Sequence, residues 1–275
     1  MSGDTLSIPR RTGGLTAYAV NDGDTITQST KSWDLVQLTA KKIAVLAKYS
    51  SELAEDAIIN VADDLAGEIA YAFAKFEDQC AFVGDGTSTY VGIVGFGPAF
   101  TNLTGTYANI AGAYVMAATG GWPSAVIADF NNCKGRLPAY AAADPACCWI
   151  MSQQFWSSTA ERVALAAGGI TTMDIAQGQP PRFMGYPVKL TPAMPIVTAT
   201  NQVCALFGAF HLAAAFGDRR MTTIAVSEHV DFASDQLNIR GTERFDINVH
   251  DVGNQSATAA SRVAGPVVAL MTAAS

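Results

Sequence analysis

Charge is scarce in this chain. Of its 275 residues 15% are Asp, Glu, Lys or Arg, and none of them falls between Gly86 and Ala128. A small soluble monomer usually needs more ionic surface, whereas a subunit that hides much of its exterior in obligate contacts does not. Positive charge is the scarcer sign. With 17 Lys and Arg against 24 Asp and Glu and a net charge of -7, the chain is poorly suited to gripping phosphate backbones, which needs basic side chains. No apolar run reaches the roughly 18 residues of a membrane-spanning helix. The opening MSGDTLSIPRR lacks the apolar stretch of a secretory signal, so synthesis in the cytoplasm is expected. The charge-free stretch is rich in Gly, Thr, Asn and Tyr, which favours burial between subunits over a membrane segment.

Chemistry-bearing signatures are missing too. The five cysteines, Cys80, Cys133, Cys147, Cys148 and Cys204, are odd in number and contain no C-x-x-C pair. Buried, reduced thiols are therefore expected, and strand alternation through Cys147-Cys148-Trp149-Ile150 should bury one of the first two. Gly84-Asp85-Gly86 is a lone G-x-G that follows a helix rather than a strand, so it reads as a structural turn. There is no phosphate-loop, nucleophile-elbow or H-E-x-x-H sequence. His211, His229 and His250 stand far apart. No enzyme, cofactor or metal is expected. Asp63, Asp64 and Glu68 lie along one side of a helix, and a solvated or interface-facing ridge is the simpler reading, because calcium sites also need loop carbonyls.

What the chain does contain is framework. Apolar residues make up 49%, enough for a large core at this length. Residues 1–14, with Pro9, Arg10, Arg11, Gly13 and Gly14, show no period and read as an arm that needs a partner surface to become ordered. LTAYAV, the turn cluster Asn21 to Asp24, TITQST and the run Trp33 to Tyr49 predict a long two-stranded hairpin. Its parity is blurred, since Trp33, Leu35, Ile43, Val45 and Tyr49 share one side while Val36, Leu38 and Leu46 take the other. Ser50 or Ser51 then caps a helix predicted over 51–78, with Glu52, Glu55 and Asp56 favourably placed in its first turn. Ala54, Ile58, Val61, Leu65, Ile69, Ala72 and Phe76 form its apolar stripe, with acidic residues mostly opposite. At about 1.5 Å per residue it would be about 42 Å long. Gly67 falls on its polar side, where a close neighbour would explain it. Short apolar strands alternate with helical segments over 122–211, and 221–251 reads as strands, so the fold class is α+β.

From Leu38 to Gly95 these features occur in a telling order. Lys41 and Lys42 open a strand, Ser51-Glu52-Leu53 caps the long helix, and Glu77, Asp78 and Phe82 close it. Gly84-Asp85-Gly86 and Gly92-Ile93 follow. In this the chain resembles the Hong Kong 97-type major capsid proteins of tailed bacteriophages. Looser landmarks continue at Met184-Gly185-Tyr186-Pro187-Val188, Phe207-Gly208-Ala209-Phe210, Gly217-Asp218-Arg219-Arg220 and the strands with Arg240, Arg244 and Asp246.

The resemblance implies a Hong Kong 97-like capsid fold. It comprises an N-terminal arm (1–14), an extended β-hairpin loop (15–49), a spine-helix peripheral domain (50–117 and 216–253) and an axial domain (118–215, with 254–275 as its candidate addition). It further implies a shell subunit that assembles with itself into pentamers and hexamers around double-stranded DNA. Portal, scaffolding and decoration proteins are possible partners, and the virion capsid is its place. Arg10, Arg11, Lys31, Trp33, Asp63, Asp64 and Glu68 are the expected assembly residues. Some family members join a hairpin Lys to a neighbour's Asn, but no Asn and Glu match Lys31 here, so that chemistry is not carried over. The alternatives are an encapsulin-like compartment shell and, further off, a cytoplasmic hydrolase using Cys or His.

Overall fold

The run from Trp33 to Ser50 is two strands, and the break between them explains its mixed parity. In the computed structural model β2 (Trp33–Thr39) and β3 (Lys41–Ser50) flank Ala40 and join different sheets. β2 buries Val36 and Leu38, while β3 turns Ile43 inward and leaves Leu46 exposed. The structure describes residues 3–12, 14–50, 52, 61–103, 109–117, 120–166, 168, 182–231 and 234–273, with backbone only at Arg11 and Glu228.

The partner of β2 is not the segment after residue 15 but the arm itself. β1 (Thr5–Arg11) pairs antiparallel with β2, from Thr5 opposite Thr39 to Arg11 opposite Trp33. The arm expected to need a partner surface thus finds one in its own chain, and the expectation of a hairpin whose strands both lie within 15–49 is corrected. Thr5, Ser7 and Pro9 alternate with Leu6 and Ile8, a short period-2 pattern that Pro9 obscures. Between Thr12 and Ser32 the described chain forms a loop with a turn at Asp22-Gly23 and no strand.

The long helix α1 runs Val61–Val83 in the described residues, five residues past the expected end at Asp78. The expected start, with Ser51, Ala54, Glu55, Asp56 and Ile58, lies outside them. Ile69, Phe73 and Cys80 are its buried residues, with Leu65 and Phe76 packed beside them. Their spacing of four and seven residues is helical, so the stripe continues through Cys80 and carries the helix with it. Gly84 stops it. A Cβ there would lie 2.6 Å from the Cys80 carbonyl and 2.8 Å from that of Ile93, so only glycine lets the following loop fold back under the helix end. Gly67 has nothing within 4 Å of a would-be Cβ, so the close neighbour expected there is not among the described residues.

α1 lies on a three-stranded sheet ordered β3, β10 (Gln236–Val249) and β9 (Ala214–Asp231). Ile43 from β3, Ile69, Phe73 and Cys80 from α1, and Ile239, Phe245 and Ile247 from β10 share one core. Burying such side chains is worth about 1.5–3 kcal/mol each. β3 and β9 are its edge strands, and β9 is the longer.

The other body is a six-stranded sheet with the order β4 (Ala113–Val115), β11 (Val267–Met271), β8 (Val203–Gly208), β5 (Cys148–Met151), β7 (Tyr186–Leu190) and β6 (Arg182–Phe183). Both of its faces are covered. Trp149, Met151, Phe207, Val268 and Leu270 meet Phe130, Phe155 and Phe183 on one side. Cys148, Ile150, Leu206, Val267 and Ala269 meet Phe96 and Phe100 of α2 (Phe96–Thr101) on the other. A sheet covered on both faces buries both strand parities, which is why Cys147 and Cys148 are both buried where alternation favoured one. Helix α3 (Ile127–Gly135) supplies Phe130 and Cys133, and residues 153–166 follow β5 as a helical stretch with a π turn at Trp156–Ala160. Two segments thus join this sheet from outside 118–215. β4, expected with 50–117, pairs in parallel with β11, and β11 sits between β4 and β8. A three-residue strand has too little length for its period to show in sequence.

Candidate assembly surfaces

The β1–β2 ribbon is fastened to the sheet under α1 by alternate side chains at the end of β10, all on one strand face. Arg244 donates to the Asp4 carboxylate and the Ala40 carbonyl, at 3.3 Å each. Asp246 accepts the Thr39 N–H at 2.7 Å and pairs with the Lys41 ammonium at 3.1 Å. The Asn248 amide donates to the Gln37 carbonyl at 2.9 Å. His250, just beyond the strand, meets Arg10, whose guanidinium donates to the His250 carbonyl and also lies 3.3 Å from the Asp34 carboxylate.

Beyond this seam the ribbon opens into the loop between Thr12 and Ser32, and there apolar side chains face solvent. Ile26 is 79% exposed and Leu15 69%, with Tyr18 and Val20 also exposed. Lys31 lays its ammonium 3.9 Å from the Trp33 ring centroid, and Trp33 remains 59% exposed. β9 repeats the pattern with exposed Phe216, Met221, Val226 and Val230 along an 18-residue edge strand. A long edge with apolar side chains is a liability in a lone subunit and a contact in an assembly.

Of the residues singled out in the sequence, Lys31 and Trp33 stand together on this exposed loop base. Arg10 is engaged within its own chain, and the side chain of Arg11 is outside the described residues. Asp63, Asp64 and Glu68 are exposed on α1. No cluster of His, Cys, Asp and Glu fit to hold a metal occurs among the described residues. His211 pairs with Asp144 at 3.3 Å, while His250 serves the seam. Burial pushes the Cys133 thiol up to about 12 and those of Cys80 and Cys147 to about 11, away from nucleophilic thiolate.

One acidic cluster was not read from the sequence. Between α1 and β9 an open groove of about 440 Å³ is lined by Phe73, Glu77, Phe216, Asp218, Met221 and Glu243. Burial, then the hydrogen bond to Glu243 and the charges of Glu243, Asp218 and Asp78, push the Glu77 carboxyl up to about 8. Glu243 in turn accepts the Thr222 hydroxyl at 2.9 Å. Glu77 looked like part of the polar helix face, yet it stands four residues after buried Phe73, at the edge of the stripe. A carboxyl raised in the folded chain stabilises it below the ordinary value near 4.5, and that stabilisation is lost as pH rises through about 8. Glu77→Gln should therefore unfold about 2–4 °C above the native chain at pH 9, given about 1 kcal/mol after solvent screening. The two should converge at pH 5, which thermal melts across that range would check.

Several solved structures share the whole fold. The capsid of a native GTA particle matches with a TM-score of 0.74 at 19% identity, covering 100% of this chain and 86% of that one. Structures from Mycobacterium phage Adephagia (TM-score 0.69, 18% identity, 100% and 87% covered) and Gordonia phage Cozz (0.65, 17%, 100% and 83%) match similarly. A search of curated proteins finds no match. At these identities the structural likeness establishes the Hong Kong 97-like fold. The sequence profile of the phage capsid family matches residues 1–253, and the chain belongs to that family.

Proposed function

We propose that this chain is the major capsid protein of a tailed phage, closing with copies of itself into an icosahedral shell of pentamers and hexamers. The match of the family profile over residues 1–253 carries the reading. The exposed apolar loop between Thr12 and Ser32 and the apolar edge of β9 support it, because both are surfaces that a neighbouring copy would cover. The ribbon with its loop is the arm-and-hairpin element, the α1 sheet the peripheral domain and the six-stranded sheet, with β4 and β11, the axial domain. Lys31 and Trp33 are contact residues between copies, and Arg10 and Arg11 set the ribbon from which they project. Asp63, Asp64 and Glu68 form an acidic ridge for a neighbour's cations.

The shell encloses double-stranded DNA without sequence-specific contacts, in keeping with the net charge of -7. Assembly takes place in the host cytoplasm, and portal, scaffolding and decoration proteins are its further partners. No helix among the described residues is long and apolar enough to cross a membrane. Electron microscopy of the purified chain, alone and with a scaffolding protein from the same genome, tests the proposal. Closed shells or rings of five and six subunits are the expected result, and a chain that stays monomeric under every condition would overturn it.

A further inference from the structure

The seam that fastens the ribbon to β10 holds its two ends by different chemistry. At the end near Thr39, Asp4 is gripped by Arg244 at 3.3 Å and Arg219 at 3.5 Å, and Asp246 accepts the Thr39 N–H at 2.7 Å. The contacts of Asp4 join opposite charges, and no histidine takes part at this end. Asn248 in the middle is an uncharged amide. At the loop-bearing end the contact is Arg10 with His250. The guanidinium donates to the His250 carbonyl and sits 3.5 Å from the imidazole Nδ1, so a permanent cation faces a group that becomes a second cation when it takes up a proton.

We propose that the Arg10–His250 contact is a proton-operated latch. Protonation of His250 sets an imidazolium against the Arg10 guanidinium and frees the loop-bearing end of the ribbon. The grips on Asp4 and Thr39 keep the other end as a pivot.

The surroundings of His250 favour its neutral form. Its pKa is lowered, first by burial and then by Arg10, with Asp251 alone pulling the other way. From β2, Asp34 reaches Arg10 at 3.3 Å and holds it in place against the imidazole. From the short helix Phe210–Ala213, the Ala213 carbonyl accepts the backbone N–H groups of His250 and Asp251 and brings no charge. Because the docked state disfavours the proton, the latch is fully closed above the ordinary histidine value of about 6.5. It opens as pH falls below that value. The device is a property of one subunit, so it stands or falls independently of whether the chain builds shells.

Hydrogen exchange of the full-length chain, corrected for the intrinsic pH dependence of amide exchange, tests the latch between pH 7.5 and 5. The amides pairing β1 with β2 are followed, with those pairing β3 with β10 as the internal reference. In the native chain, opening of the β1–β2 end that carries Arg10 should increase about tenfold on going from pH 7 to 5, while the reference stays constant. His250→Gln, whose amide never ionises, should hold the ribbon closed across the range. Arg10→Ala should leave it open at both extremes, and the reference amides report whether that variant keeps its fold. An unchanged ribbon in the native chain at pH 5 would overturn the proposal. So would the same pH response in His250→Gln, which decides the matter even if Arg10→Ala does not fold.

Discussion

A chain in which residues 17–28 are replaced by two glycines should fold normally and fail to close into shells. Thr16 and Ser29 already approach closely, with the Thr16 N–H donating to the Ser29 hydroxyl at 2.8 Å, so a two-residue turn can bridge them. Tyr18, Val20 and Ile26 are exposed, so their removal takes little from the subunit's own core. A change in Tm within about 2 °C is expected, as for substitutions remote from the core. Between copies the arithmetic is different. Losing three buried anchors at about 1–2 kcal/mol each weakens every contact by roughly 10²–10⁴-fold. Melting curves read together with sedimentation would separate the two effects, and shells of normal yield from the shortened chain would remove the loop from the assembly interface.

The second large effect is expected inside the subunit. Gly241 of β10 lies directly beneath α1, where an added Cβ would come within 2.4 Å of Ile69 and 3.1 Å of Phe73. Gly241→Leu must lift the helix from the sheet and open the core shared by Ile69, Phe73, Ile239 and Phe245. A loss of about 3–5 kcal/mol is expected from overpacking and partial exposure, lowering Tm by about 10 °C. Gly67→Ala in α1 is the control. Nothing lies within 4 Å of that position, so the better helix former should hold or raise Tm by an amount matching up to about 1 kcal/mol. A Gly241→Leu chain that melts like the native one would show that α1 does not pack where described.

The parts legible in the sequence are those with long, regular patterns. The stripe through Leu65, Ile69 and Phe76 announces α1, and the β-branched run after Arg220 announces β9 and β10. The Gly-Asp-Gly turn is equally plain, because its glycines answer to a local backbone need. Illegible were the features decided by distant partners. Whether Cys147 and Cys148 are both buried depends on α2 and α3 covering opposite faces of one sheet. The break at Ala40 follows from β2 and β3 serving different sheets. Arg10 was read as an arm residue for a neighbour, and the structure spends it on His250, which is 240 residues away. Glu77 and Glu243 meet only because α1 crosses β10.

The place of β11 has a consequence for how the subunit is made. Val267–Met271 sits between β4, at residues 113–115, and β8, at 203–208. The six-stranded sheet cannot close until residue 271 has emerged from the ribosome, so a nascent chain waits with Trp149, Phe207 and Phe130 incompletely covered. Contacts spanning over 150 residues make for slow closure and a long interval of sticky surface. The same delay has a use. A subunit still lacking β11, the second of the six strands, presents no finished sheet and so no finished surface for a neighbour to join.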